Sequence, residues 1–100
     1  MTVNAGDRVF PALASLPRRQ ILAFLAQTAL STSDLALRFG MSAPAVSRHL
    51  SVLQLAGLVS AERQGQQVLY RLEREAVLEA LARFASELDG PLRRGPREAI

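Results

Sequence analysis

Residues 42–59 read SAPAVSRHLSVLQLAGLV, and this stretch decides the fold. Serine at position 42 is a favoured N-cap, proline at 44 is tolerated in a first helical turn, and glycine at 57 is a typical stop. We therefore predict a helix from Ser42 to Gly57. Because successive residues of a helix are about 100° apart, its apolar side chains fall on one face, which we expect to be buried. That face holds Val46, Leu50, Leu53 and Ala56.

The same helix carries a polar outer half. Ser47, Arg48 and His49 occupy successive helical steps, so their donors and acceptors fan outward as in a helix that reads the major groove. His49 is the only histidine of the chain. Ser47 is two residues away and points elsewhere, which argues against a catalytic pair, and one histidine without cysteine is a weak metal site. For His49 two roles stay open, a DNA contact and a structural bridge between helices. For Arg48 the alternative to a DNA contact is a solvated surface charge.

The flanking segments predict further short elements. Ser31 and Asp34 resemble a capping box before a helix that stops at Gly40, which makes a helix-turn-helix candidate with the helix that follows. Helices are also predicted over Asp7–Leu16, from Pro17 to about Gln27 and over Glu73–Leu88, and a hairpin of strands over Leu58–Arg63 and Gln67–Leu72. The predicted order is α-α-α-α-β-β-α, so the fold class is mainly α with a small β-hairpin (α+β).

The composition indicates one soluble, cytosolic domain. Because His49 lacks a catalytic partner and the sequence has no Gly-x-Ser-x-Gly elbow, we also predict that the chain is not an enzyme. The chain has 100 residues, 49% of them hydrophobic, with neither a signal-peptide pattern nor an apolar run of the ~20 residues that span a membrane. The absence of cysteine excludes disulfides, thiolate metal sites and cysteine nucleophiles. The net charge is +3 and all twelve basic residues are arginine, which suits phosphate and guanine, although an arginine-biased genome is an alternative explanation. We predict a flexible N-terminus over 1–6, the domain over 7–89 and a flexible basic tail over 90–100.

The central stretch resembles the recognition-helix segment of the ArsR/SmtB family of winged-helix repressors. That pattern reads Pro-x-Val-Ser-x-His-Leu-x-x-Leu-x-x-Ala-Gly-Leu-Val, and the chain matches it without gaps over 44–59. Residues 17–25 (PRRQILAFL) are similar to the family's second helix, residues 34–36 to its third, and Arg63, Gly65, Tyr70 and Leu72 to its wing. The resemblance covers residues 8–89. It implies a winged helix-turn-helix repressor that binds double-stranded DNA as a homodimer through its first and last helices.

Resemblance and helix geometry together predict the DNA-binding residues. They are Ser42, Ala43, Pro44, Ser47, Arg48, His49, Arg63, Gln64 and Gln66. Relatives often carry polar residues on both sides of Pro44, whereas this chain has Ala43 and Ala45 there. An alanine side chain can only contact a thymine methyl group or leave room. Base reading would then rest on positions 47–49 or on DNA shape, and the operator stays open. An ordinary polar turn is the alternative for the wing tip. Arg18, Arg19 and Arg38 are further candidates for phosphate contact, with plain surface charge as an equal alternative for each.

The dimer interface is predicted from apolar positions that exceed the needs of one small winged helix. They are Val9, Phe10, Leu13, Val77, Leu81, Phe84 and Leu88. Two-fold symmetry would set two reading helices about 34 Å apart on a pseudo-palindrome. Packing of both stripes inside one monomer is the alternative.

Family metal sites use cysteines on the third helix or histidine and carboxylate pairs on the last. The segment SDLALRFG has no cysteine and EAVLEALARFASELDG has no histidine, so neither site is carried over and no cofactor is predicted. The simplest interpretation is a repressor without a ligand. An unknown small-molecule or protein effector stays open, as does a weak cation site made of the amino terminus and carboxylates such as Asp7, Glu79, Glu87 or Asp89. The rival function is a winged-helix module for protein interaction without specific DNA binding.

Overall fold

The computed structural model describes residues 5–89, with side chains from Arg8 onward. The helices and strands run in the order α1 (Ala5–Leu13), α2 (Leu16–Leu25), β1 (Leu30–Ser31), α3 (Thr32–Phe39), α4 (Ala43–Leu55), β2 (Val59–Gln64), β3 (Gln67–Leu72) and α5 (Arg74–Asp89). The predicted fold class and element order are confirmed, with one short strand, β1, added. In the described part of the chain, no helix is long and apolar enough to cross a membrane.

The boundary between α1 and α2 differs from the prediction. Leu16 was placed in the first helix, but it opens α2, because Ser15 adopts an extended conformation and its hydroxyl accepts the N–H of Arg18 as an N-cap. The first helix also begins at Ala5, so the segment predicted to be flexible overlaps it by two residues. Residues 1–4 and the predicted basic tail over 90–100 lie outside the described residues.

The helix-turn-helix forms as the capping signals predict. Ser31 and Asp34 bond reciprocally, with the Asp34 N–H donating to the Ser31 hydroxyl and the Ser31 N–H to the Asp34 carboxylate, each at 3.1 Å. These hydrogen bonds lower the pKa of Asp34 below its usual value. Gly40 ends α3 at φ 64°, a left-handed conformation that glycine adopts without a Cβ penalty, and Ser42 then caps α4.

The sheet has the order β1-β3-β2 and is antiparallel throughout. The unpredicted strand β1 pairs Leu30 with Tyr70 and Ser31 with Leu69. It is two residues long, too short to produce an alternating pattern in the sequence. Gln64 faces Gln67 at the end of the hairpin, and Gly65 has φ 62°, the positive value that a two-residue turn needs.

The core lies between α1, α2, the helix-turn-helix and the base of the sheet. Its largest fully buried side chains are Val46, Ile21, Leu35, Leu50, Leu53 and Leu58. Burial of each leucine stabilises the fold by about 1.5–3 kcal/mol. The predicted apolar face of α4 is therefore confirmed, and it fixes which side of that helix points outward.

Candidate nucleic-acid interface

The outer half of α4 is held away from the core by its inner half. Val46 and Leu50 have no solvent exposure, so the helix cannot rotate without exposing them. Ser47 and Arg48 are exposed between them in sequence, on the opposite side. The side chain of Arg48 is therefore available to a ligand outside the protein.

The N-terminus of α4 is also exposed, at Ser42, Ala43 and Pro44. The Ser42 hydroxyl accepts the N–H of Ala45 at 3.2 Å, so its acceptor capacity serves the cap, while its O–H can still donate. The free amides and the dipole of a helix start attract negative charge. This end of α4 suits a phosphate more than it suits base reading, since two of its three exposed side chains are apolar.

His49 lies half-buried at the side of α4 and bridges to α2. Nη1 of Arg18 is 3.3 Å from Nδ1 of His49. Burial lowers the pKa of His49 below its usual value, and the positive charges of Arg18 and Arg48 lower the pKa further. The structural bridge considered for this histidine is present. The bridge uses only Nδ1, so Nε2 remains for a second contact.

Nε2 of His49 is not sealed inside the protein. The described residues offer it no hydrogen bond, and among those same residues no buried side-chain nitrogen or oxygen lacks a partner. An unbonded Nε2 must therefore be accessible. His49 thus contacts Arg18 through Nδ1 and leaves Nε2 accessible from outside the protein.

Three arginines bind the C-terminal ends of helices, a role that sequence reasoning missed. Nε and Nη2 of Arg18 donate to the carbonyls of Ala12 and Pro11 at 2.8 and 3.2 Å, and Arg19 donates to the carbonyl of Leu13 at 2.6 Å. Arg74 does the same at the end of α2, on the Ala26 carbonyl at 3.1 Å. Neither α1 nor α2 has a basic residue in its own last turn, and cations from other elements supply that charge. The absence of a basic residue from the last turns of α1 and α2 was the signal in the sequence that could have predicted this role.

The hairpin of β2 and β3, which is the wing of this fold, presents polar side chains at its tip. Arg63, Gln64 and Gln66 are all exposed, and the two-residue turn between β2 and β3 carries them beyond the body of the domain. Lower on the hairpin, Arg71 and Glu62 form an exposed ion pair at 3.0 Å across the strands. That pair partly neutralises the wing base, so the positive charge of Arg63 dominates the tip.

A groove of about 430 Å³ lies between α2 and α3 and is open to solvent. Phe24 and Phe39 meet edge to face in its wall, with ring centroids 5.2 Å apart, and the Arg38 guanidinium lies 5.6 Å from the Phe24 ring centroid. Arg38 is thus held by a cation–π contact. Its charge remains exposed beside the helix-turn-helix.

An exposed apolar stripe runs along α5 and continues onto α1. None of the described α5 side chains is buried, and the rings of Phe10 and Phe84 meet with centroids 5.4 Å apart. The exposed members are Phe10, Leu78, Leu81, Phe84 and Leu88. Of the predicted interface residues, Leu13 and Val77 are partly buried against the core, and Val9 is only 6% exposed. Val9 therefore belongs to the monomer core rather than to this stripe.

Among the side chains that the structure describes, from Arg8 to Asp89, no three histidine or carboxylate groups lie close enough together to hold a metal ion. Glu79 is instead paired with Arg83 at 3.2 Å, one turn along α5. The side chain of Asp7 lies outside the described side chains.

Comparison with known proteins relates this arrangement to bacterial regulators. Residues 17–61, which include the helix-turn-helix and the start of the wing, match the family described as bacterial regulatory protein, arsR family. The HTH-type transcriptional regulator KmtR of Mycobacterium tuberculosis is 42% identical over 85 residues, covering 83% of this chain and 65% of KmtR. This chain therefore spans just under two thirds of that relative.

For two further proteins, the alignment with this chain spans a larger share of the relative's length. The transcriptional repressor SdpR of Bacillus subtilis is 36% identical over 66 residues, covering 66% of this chain and 73% of SdpR. A solution structure from Mycobacterium bovis superposes with a TM-score of 0.68 at 36% identity, covering 81% of this chain and 77% of that one. It is described as the homodimeric winged helix-turn-helix DNA-binding domain of a possible ArsR-family transcriptional regulator.

Proposed function

The chain belongs to the ArsR family of bacterial regulatory proteins, and on that premise we propose that it is a homodimeric repressor that occludes a pseudo-palindromic promoter site. The observation that carries the proposal is the division of α4 into a buried apolar half and an exposed half with Ser47 and Arg48. A helix so divided can enter the major groove without disturbing the core. Such a regulator acts on chromosomal DNA, hence in the cytoplasm.

The roles of the contact residues follow from their chemistry. Arg48 reads a guanine edge or binds a phosphate, and Ser47 and the Nε2 edge of His49 contact neighbouring groups. The start of α4 at Ser42, Ala43 and Pro44 lies against the backbone, where its helix dipole favours a phosphate.

The wing supplies the second contact of each protomer. Arg63 binds the backbone or enters the adjacent minor groove, and Gln64 and Gln66 hydrogen-bond beside it. Their exposure at the end of the hairpin supports this role. The net charge of +3 makes the binding sensitive to salt, since each neutralised phosphate releases counterions.

The dimer forms through the apolar stripe on α5 and Phe10 of α1. An apolar patch that continues across two helices is unusual on a monomer and is typical of an interface. The two-fold axis sets the two α4 helices about 34 Å apart, one turn of DNA. The homodimeric description of the Mycobacterium bovis domain supports this arrangement.

The chain acts without a metal cofactor, and its activity is set by its concentration or by an unidentified small-molecule or protein effector. No three of the described carboxylates and histidine lie together as metal ligands, and Glu79 is engaged by Arg83. No catalytic role is proposed, because Ser47 and His49 point in different directions and His49 Nδ1 faces an arginine.

A protein-interaction module is the rival, and the apolar α5 is the observation that favours it. The two functions separate in DNA binding. We expect Arg48→Ala to weaken binding to DNA from upstream of the chain's own gene by ~1–3 kcal/mol per half-site if Arg48 reads guanine. If it binds phosphate, we expect the salt dependence, the slope of log K against log salt, to fall by about 0.9 per half-site.

The matched control is Arg83→Ala. Arg83 is also exposed, its replacement removes the same charge, and it lies on the side of α5 away from the middle of the apolar stripe. We expect this variant to bind DNA as the wild type does in fluorescence anisotropy. Equal affinities for all three proteins would remove Arg48 from the interface.

A further inference from the structure

The contact between Arg18 and His49 determines the chemistry that His49 offers outward. Arginine has only donors, so Nδ1 of His49 must accept the hydrogen bond from Nη1 of Arg18. A neutral imidazole that accepts at Nδ1 carries its hydrogen on Nε2. The accessible edge of the ring is then a donor and not an acceptor.

Arg18 is itself held in place by α1. Its Nε and Nη2 atoms donate to the Ala12 and Pro11 carbonyls, so each of its three guanidinium nitrogens has an acceptor inside the protein. A rigid, planar guanidinium fixed at two points presents its third nitrogen in one direction. The position of the imidazole ring is thus set by the C-terminal end of α1.

We propose that Arg18 is a positioning residue that fixes the Nε2–H form of His49, so that His49 donates to an acceptor atom on a base edge in the major groove. This inference rests on the proposed function. The acceptors of the right kind are N7 of either purine, O6 of guanine and O4 of thymine. Arg18 does not contact DNA in this arrangement. It acts through the ring that it orients.

The charges around the ring favour the neutral form that this role requires. Arg18 faces it from α2 and Arg48 from α4, and the two α1 carbonyls of Pro11 and Ala12 hold Arg18 in place. The pKa of His49 is lowered by burial and by these two arginines. These effects favour the neutral ring, and the hydrogen bond accepted at Nδ1 directs its hydrogen outward.

The first test needs no DNA. Because the chain has a single histidine, long-range ¹H–¹⁵N NMR of the ¹⁵N-labelled protein gives one pair of ring nitrogens. We expect an unprotonated Nδ1 and a protonated Nε2 in the wild type, and a His49 pKa below 6.5. In Arg18→Gln we expect the His49 pKa to rise and the form with hydrogen on Nδ1 to appear.

The variant Arg18→Lys separates charge from position. It keeps the charge but lacks the planar fork, so we expect a low His49 pKa together with a mixture of the two ring forms. A wild-type ring that carries its hydrogen on Nδ1, or an Arg18→Gln spectrum identical to that of the wild type, would overturn the proposal.

The second test uses two replacements of His49 itself. The amide of asparagine reaches the position of Nδ1, whereas the longer glutamine reaches that of Nε2. We expect His49→Gln to keep most of the affinity for the upstream DNA, and His49→Asn to lose roughly 2- to 12-fold per half-site, the equivalent of one hydrogen bond. The reverse order of the two variants would contradict an outward donor at Nε2.

The salt dependence of binding distinguishes the alternatives. We expect Arg18→Gln to weaken binding to the upstream DNA while the slope against salt stays unchanged. A slope that falls by about 0.9 per half-site would make Arg18 a phosphate ligand. An equal loss for upstream and scrambled DNA in His49→Asn would assign Nε2 to a phosphate oxygen, and either result would overturn the proposal. If the wild type bound neither DNA, the proposed function would fail, while the NMR result would still decide the link between Arg18 and His49.

Discussion

Phe84→Ala is expected to weaken the dimer strongly. The side chain of Phe84 is 48% exposed in the monomer and lies near the centre of the apolar stripe. A phenylalanine buries on the order of 200 Å² when fully covered, so covering the remaining half removes about 100 Å² from water. At about 25 cal/mol per Å² this contributes about 2.5 kcal/mol per protomer. Two-fold symmetry doubles it to about 5 kcal/mol, which corresponds to a rise of roughly 10³- to 10⁴-fold in the dimer dissociation constant.

Sedimentation equilibrium over a range of protein concentrations measures this constant directly. The matched control is Leu37→Ala on α3, because Leu37 is 84% exposed but lies outside the stripe. We expect the control to leave the dimer unchanged. Phe84→Ala also removes the ring contact with Phe10 inside the monomer, so circular dichroism must show that the variant is folded. A folded Phe84→Ala protein with an unchanged dissociation constant would refute the assignment of this stripe to the dimer.

Three further expectations concern the stability of the monomer. Leu50→Ala should lower the free energy of unfolding by about 2–5 kcal/mol in urea denaturation, since Leu50 is fully buried; a loss below 1 kcal/mol would contradict the α4 packing. Ser31→Ala should cost about 0.5–2 kcal/mol by removing the cap of α3, whereas Ser33→Ala, an exposed serine of the same helix, should have little effect. The free energy of unfolding should also decline as the pH falls below 6.5, because the pKa of His49 is lowered on folding and the unfolded chain takes up the proton first. The stabilisation is complete above pH 6.5, and this part of the pH dependence should disappear in His49→Gln.

Local rules predicted the helix-turn-helix because each signal acts within a few residues. The reciprocal bonds of Ser31 and Asp34, the left-handed Gly40 and the Ser42 cap all form between near neighbours. The buried face of α4 followed from helical spacing alone. The boundary at Leu16 was wrong because apolar spacing continued past Ala14, while the Ser15 cap ended one helix and began another.

Long-range features were not accessible in the same way. Strand β1 exists because Leu30 and Ser31 pair with residues about forty positions later, and two residues carry no pattern of their own. The contact of Arg18 with His49 joins residues 31 positions apart. The sequence placed both residues near DNA as candidates. The structure instead turns Arg18 inward and leaves one edge of His49 outside.

Val9 illustrates the same limit for interfaces. Helical spacing groups it with Phe10 and Leu13, yet Val9 packs into the core and Phe10 stays on the surface. An apolar residue that serves the monomer core and one that serves a partner give the same periodicity. Only the packing of α1 on its neighbours separates them.

Sequence-specific DNA binding by the dimer is best measured by fluorescence anisotropy at two salt concentrations. The probes are the DNA upstream of the chain's own gene and a scrambled duplex of the same length. We expect tighter binding to the upstream DNA, with an affinity that falls steeply as salt rises. Equal affinity for both duplexes would contradict specific recognition, and no binding to either would favour the protein-interaction module.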